Sequence, residues 1–310
     1  MTFRSFFLFF ICLVLCGSVF VSAQQLTYHV AYQAPELFWL RFAHPVTTPG
    51  IQAEAAILLD LDRDDIIFAQ NSEQKLPPAS LTKIMTILIA LENQDKVDEY
   101  VKVELDSIEI SGSTLGLKHG ELIPFKSLII ATLYRSGNDG ALVLARHVAG
   151  SEEQFVELMN GKADVLGMKN TNFTNVHGLD DEGHYSTAYD LALLTKAALA
   201  NNDFATLVAQ RSAEVGLVHQ TDDAQPVEYL RKINNNNSFL WRFPDATGVK
   251  LGYTQNAGFC LIASAQRDEK KLLLVLLGAK TTNQRWLNAI DLMEFGFSQI
   301  HEKNCDKLAD

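Results

Sequence analysis

The stretch from Ser80 to Glu92 constrains the fold more than any other part of the chain. Leu81, Ile84, Met85, Ile87, Leu88, Ile89, Ala90 and Leu91 leave almost no polar face on a helix of that length. A helix that is apolar all round must be enclosed by other elements, so this one is expected at the centre of a core. Pro77 and Pro78 stop extended structure just before it. Lys83 is the anomaly, because an unpaired cation inside a buried helix has no structural use. Ser80 stands three residues earlier and shares its face. The helix start also offers free N–H groups and a positive dipole end to an anion formed beside Ser80.

Sheet and helix are distributed unevenly around this segment. Ala53 to Leu61 reads as a strand, Asp62-Arg63-Asp64-Asp65 as a turn, and Ile66 to Gln70 as a returning strand. Helical patterns cover Phe125 to Ser136, Asp139 to Val148, Glu152 to Leu166 and Thr187 to Ala200, so the middle of the chain is expected to be a helical block. Gly258 to Ala265 and Lys271 to Gly278 read as strands joined by Arg267-Asp268-Glu269-Lys270, and a last helix runs from about Asn283 to Gln299. Strands at both ends enclosing helices predict an α+β fold, with an antiparallel sheet flanked by helices plus an all-helical lobe.

Composition narrows the function classes. The 310 residues are 47% hydrophobic and 20% charged, an ordinary globular balance. A net charge of -11 disfavours nucleic acid as a partner and tight docking on anionic lipid. Residues 1–23 read as a secretory signal: Arg4, an apolar run from Phe6 to Val21, then Val21-Ser22-Ala23 as the cleavage site. The rival reading is an uncleaved anchor, and membrane attachment is expected only if the segment is retained. Residues 24–51, with Pro35, Pro45, Pro49 and Gly50, are expected to be irregular, and 52–310 to form the main domain. Export to the periplasm or cell envelope follows. There Cys260 and Cys305 are permitted to pair across about 45 residues, although two unpaired thiols are the plainer reading.

Three short motifs carry the chemistry. Ser80-Leu81-Thr82-Lys83 is followed by Ser136-Gly137-Asn138 and then by Lys250-Leu251-Gly252. A serine hydroxyl attacks poorly until a base takes its proton, and a lysine serves if burial or a second cation lowers its pKa. Ser136 suits a proton relay and Asn138 a hydrogen bond to a substrate amide. Lys250 would hold Ser136 and the substrate by charge, and Gly252 would permit close backbone approach. Each motif alone has a plain explanation. S-x-x-K arises by chance, and Gly137 with Asn138 is a common helix C-cap. In this order and context they describe serine acyl transfer.

The three boxes resemble the S-x-x-K, S-x-N and K-T-G set of penicillin-binding proteins and class A β-lactamases. The chain looks like the low-molecular-mass penicillin-binding proteins, the serine D-alanyl-D-alanine carboxypeptidases, over residues 52 to 300. Pro78-Ala79 before the first box, Asp139 after the second, Asn170-Thr171 with Phe173, Val176-His177-Gly178-Leu179, Ala257-Gly258 and the strand Leu261 to Ala265 also look like family sequence. The resemblance implies a DD-peptidase/β-lactamase-like fold and removal of the terminal D-alanine from a peptidoglycan stem pentapeptide through an acyl-enzyme on Ser80. It implies Ser80, Lys83, Ser136 and Asn138 as catalytic residues and Lys250, Gly252, Tyr253 and Lys280 as substrate-binding ones. In it the N–H groups of Ser80 and Tyr253 form an oxyanion hole. β-Lactams acylate the same serine, and no metal or organic cofactor is required.

The third box departs from the pattern. Leu251 stands where the family has a hydroxyl that helps hold the substrate's terminal carboxylate, and losing such a bond costs roughly 1.5–3 kcal/mol. Lys280 is read as the counterpart of an arginine that binds the same carboxylate. Two rival functions follow: a non-catalytic or weakly active peptidoglycan-binding homologue, and a D,D-endopeptidase. A β-lactamase is disfavoured, since no Glu between 150 and 180 has an asparagine four residues on. His177 and His184 flank Asp180-Asp181-Glu182, which reads as a surface loop beside the catalytic lobe rather than a metal site, and Trp241 and Trp286 as core or groove residues.

Overall fold

Six consecutive buried residues, Ala55–Asp60, form strand β1, and Asp65–Gln70 returns beside it as β2. The computed structural model describes residues 48–93, 99–104, 110–219 and 227–306. Residues 1–23, expected to be a signal, and most of the segment expected to be irregular therefore lie outside the described residues. After β2 the 3-10 turn Ala79–Thr82 leads into helix α1, Lys83–Glu92, whose residues from Lys83 to Leu91 are all buried. The short strands β3, Tyr100–Lys102, and β4, Leu122–Pro124, precede a run of helices: α2, Phe125–Arg135; α3, Asn138–Ala149; α4, Glu152–Leu166; α5, Ala188–Ala200; and α6, Asn202–Ala209. Then come β5, Ser212–His219, and β6, Val227–Asn234; the short helix α7, Phe239–Arg242; the strands β7, Ala246–Thr254, β8, Gly258–Arg267, and β9, Lys270–Ala279; and the last helix α8, Thr282–Asp306.

The main sheet has the order β2-β1-β9-β8-β7, antiparallel throughout. Both termini of the described body feed it, as the α+β expectation requires. Its two faces serve separate cores. Ile57, Ile262, Val275 and Cys260 pack into the cluster that holds α1, while Leu58, Leu261, Leu274 and Leu276 pack with Trp286, Leu292 and Phe297 of α8. Strand residues alternate between faces, so a central strand buried on both sides reads as an unbroken apolar run. That is why β1, β8 and β9 were legible.

A second sheet, β3-β4-β5-β6, corrects the expected all-helical middle. Its strands are short or half-exposed, and Glu214, Arg231 and Lys232 interrupt any apolar run, so periodicity carried no strand signal there. Cys260 is a free, fully buried thiol, which fits the plainer of the two cysteine readings. It faces the α1 cluster, whereas α8, which carries Cys305, covers the other face. Among the described residues no helix is long and apolar enough to cross a membrane.

Candidate active site

Local backbone constraints bring the three boxes together. Ala79 adopts φ +50°, which turns the chain after Pro78 and presents Ser80 at the entrance to α1. Ser136 takes the left-handed C-cap of α2 at φ +57°. The C-cap is therefore Ser136 itself rather than Gly137 or Asn138, which N-cap and open α3, and Ser136 accepts a hydrogen bond from Lys250. On β7, Lys250 pairs with Ile262 and points to the α1 face. Gly252 lies two residues on, and an added Cβ there would sit 3.1 Å from Ala79 Cβ and 3.2 Å from Pro78 O. The absent side chain therefore lets β7 close on the nucleophile turn itself, a different reason from the one expected.

Lys83 is fully buried and its Nζ has three neighbours. Ser80 Oγ lies at 3.1 Å, Asn138 Oδ1 at 2.6 Å and the carbonyl of His177 at 2.7 Å. Lys250, 1% exposed, donates to Ser136 Oγ and to the carbonyl of Leu251, both at 2.9 Å. Burial, and then the charge of Lys250, hold the Lys83 amine well below its usual range, against a smaller opposing pull from Asp139. Burial, and then Arg285, bring Lys250 down to about 7. Lys250 is thus near the range in which a proton moves easily at neutral pH, and Lys83 beside it is shifted in the same direction.

Asn138 is held from behind. Its amide Nδ2 donates to Ser111 O at 2.7 Å, and its backbone N–H donates to Ser113 O at 2.7 Å. The next residue, Asp139, accepts from the backbone N–H groups of Leu115, Gly116, Leu117 and Gly140 at 2.8–3.1 Å. The segment 111–117 is thereby fixed as one wall of the cleft. Leu115 packs so tightly over this junction that a Cβ at Gly137 would fall 2.6 Å from its Cγ. The sequence signalled the wall only through the acidic residue after Ser-Gly-Asn.

The two remaining substrate-binding candidates differ in placement. Tyr253 is 56% exposed on β7, its ring 4.5 Å from that of Phe259. Lys280 is exposed beyond β9, and no described contact joins it to the boxes. Arg285, which sequence reasoning passed over, is the cation whose charge reaches Lys250. It is 6% exposed, stacks at 4.3 Å on Trp286 and at 5.4 Å on Phe259, and its Nε has no hydrogen-bond partner among the described residues. Nothing in its spacing distinguishes it from a surface arginine at the start of α8. Leu251 alternates away from Lys250 and packs on the cluster beneath α8. A large side chain is tolerated there because it does not fill the cleft beside Lys83.

A family model described as D-alanyl-D-alanine carboxypeptidase matches residues 43–281. The D-alanyl-D-alanine carboxypeptidase DacF of Bacillus subtilis is 33% identical over 277 residues, covering 86% of this chain and 67% of that protein. The Escherichia coli D-alanyl-D-alanine carboxypeptidase DacC is 35% identical over 270 residues, covering 81% and 63%. The chain thus spans about two thirds of the length of these curated relatives. Among solved structures, the D-alanyl-D-alanine carboxypeptidase of Mycobacterium tuberculosis superposes with a TM-score of 0.73 at 30% identity, covering 83% of this chain and 95% of that one. Penicillin binding protein 6B of Escherichia coli gives 0.70 at 32%, covering 81% and 78%.

Proposed function

Because this chain belongs to the D-alanyl-D-alanine carboxypeptidase family, we propose that it removes the terminal D-alanine from peptidoglycan stem pentapeptides through an acyl-enzyme on Ser80. One observation carries the reading. A neutral lysine amine has two N–H bonds and one lone pair. As an ammonium Lys83 donates to Ser80 Oγ, Asn138 Oδ1 and His177 O; once neutral, it keeps the two carbonyl bonds and its lone pair faces the hydroxyl of Ser80. That is the hydrogen-bond pattern of a general base beside its nucleophile.

In the proposed reaction Ser80 Oγ adds to the carbonyl of the D-Ala–D-Ala bond while its proton passes to Lys83. The backbone N–H groups of Ser80 and Tyr253 would receive the oxyanion. Collapse expels D-alanine, whose amine takes a proton delivered through Ser136 from the Lys250 side of the cleft. Water then adds to the ester carbonyl, its proton returning through Ser136 to the Lys250 side, and Lys83 gives its proton back to Ser80 Oγ as the acyl group leaves. The substrate carboxylate goes to Lys250 and Arg285. The guanidinium replaces both Lys280 and the hydroxyl missing at Leu251. A β-lactam presents the same carbonyl and carboxylate and stops at the ester. The site of action would be the cell envelope, where peptidoglycan lies.

Mass spectrometry after incubation with a fluorescent penicillin tests the proposal, followed by a D-alanine release assay. A single adduct on the wild type, absent from Ser80→Ala, is expected. A folded wild type that forms no adduct would move the binding-homologue reading to the front.

A further inference from the structure

The segment from Thr174 to His184 grips the nucleophile turn from below. Thr82, Lys83 and Thr86 all reach into it: Lys83 donates to His177 O, and Thr86 Oγ1 donates to Val176 O at 2.6 Å. The third contact is a directional chain. The backbone N–H of Thr174 donates to His184 Nδ1 at 3.0 Å, with Thr174 Oγ1 at 3.3 Å from the same nitrogen. A backbone N–H can only donate, so Nδ1 carries the lone pair and Nε2 the proton. His184 Nε2 lies 2.9 Å from Thr82 Oγ1, and the Thr82 hydroxyl donates to Ala79 O at 2.9 Å. Every member has one compatible role, and Thr82 and His184 are 0% and 5% exposed.

The chain ends on the residue that most needs support. Ala79 is a non-glycine residue at positive φ, a strained conformation that persists where its surroundings over-determine it. Its carbonyl is also covered by Gly178, where a Cβ would lie 1.8 Å from Ala79 O. Ser80 follows directly. Its Oγ meets Lys83 only while the peptide plane after Ala79 keeps this orientation.

We propose that Thr82 and His184 are positioning residues: the His184–Thr82–Ala79 hydrogen-bond chain holds the turn that aims Ser80 at Lys83 and at the scissile carbonyl. This rests on the acyl-transfer reading above. Both side chains are buried and spend their hydrogen bonds inside the protein, so their effect belongs in the bond-forming step rather than in binding.

Rapid-mixing kinetics with a penicillin separate the acylation rate constant from the dissociation constant of the complex that precedes it. Thr82→Val keeps the shape of the side chain and removes the hydroxyl. It is expected to slow acylation roughly 10- to 100-fold while leaving the dissociation constant within about twofold. Thr82→Ser restores the hydroxyl and should return the rate to within a few-fold of wild type. His184→Asn keeps an acceptor for the Thr174 N–H but loses the donor toward Thr82. Combined with Thr82→Val, it should slow acylation no further than the slower single variant, as members of one chain do. Acylation at the wild-type rate in Thr82→Val or His184→Asn overturns the proposal, whatever their melting temperatures. So does a Thr82→Ser as slow as Thr82→Val, or additive losses in the double variant. A wild type that is not acylated at all overturns the function instead, which keeps the two failures distinct.

Discussion

At the scale of single residues, the site depends on counting donors and acceptors. Lys83 is useful because two carbonyls occupy its protons, and Lys250 because it meets a hydroxyl rather than a carboxylate. Arg285 follows the same logic from the other side, as a buried guanidinium stacked between rings whose Nε has no hydrogen-bond partner among the described residues. Replacing it with glutamine is expected to lower kcat/KM on peptides ending in D-Ala–D-Ala by roughly 10- to 100-fold, mainly through KM, because one charge-assisted contact to the carboxylate is lost. Steady-state D-alanine release measures this, and a kcat/KM equal to wild type would remove Arg285 from the substrate site. Ser80, Lys83, Ser136, Asn138 and Lys250 were legible in the sequence, since each is out of place in its surroundings or lies at motif spacing. Arg285 and His184 were not. A buried arginine and a surface arginine have the same letter, and only the three-dimensional neighbours tell them apart.

At the scale of elements, the helices were more legible than the loops that make them useful. α1, α2, α3, α4, α5 and the strands β1, β8 and β9 follow from apolar periodicity, whereas the 111–117 wall, the β5–β6 hairpin and the reason for Gly252 depend on contacts distant in sequence. Asp139 ties the wall to α3 through its backbone N–H bonds. An amide in its place loses the charge and turns an N–H group toward other donors. Asp139→Asn is therefore expected to cost about 1–3 kcal/mol and to loosen residues 115–117 first. Thermal melting gives the first quantity and hydrogen exchange of the Leu115, Gly116 and Leu117 amides gives the second. Unchanged protection there would show that the wall is held by Leu115 packing instead.

At the scale of the whole molecule, acid below pH 6.5 should weaken the fold through two buried histidines. Burial pulls both His177 and His184 down to about 4, with Lys83 adding to the shift at His177 and Asp181 and Asp180 opposing it at His184. The unfolded chain binds these protons near the ordinary value of 6.5, so between about 6.5 and 4 acid favours unfolding. Their contribution is complete above 6.5 and disappears as pH falls through about 4. The urea midpoint should drop across that interval, and His184→Gln should show a shallower slope than wild type. An identical slope would mean that His184 titrates normally in the folded protein.

The position of β7 at the rim of the main sheet has a consequence of its own. Among the described strands it has a neighbour on one side only, β8, so the sheet stops at the cleft with one row of backbone groups unmatched. An extended peptide laid there would become the sixth strand of the sheet for as long as the ester on Ser80 survived. Such a visitor is recognised first by its main chain, whose spacing is common to all peptides, and only then by what hangs from it. Discrimination is left to handedness beside the terminal carboxylate, because a wall peptide ends in D-residues and ordinary proteins end in L-residues. The enzyme's selectivity would then come from an unfinished edge rather than from a deep pocket.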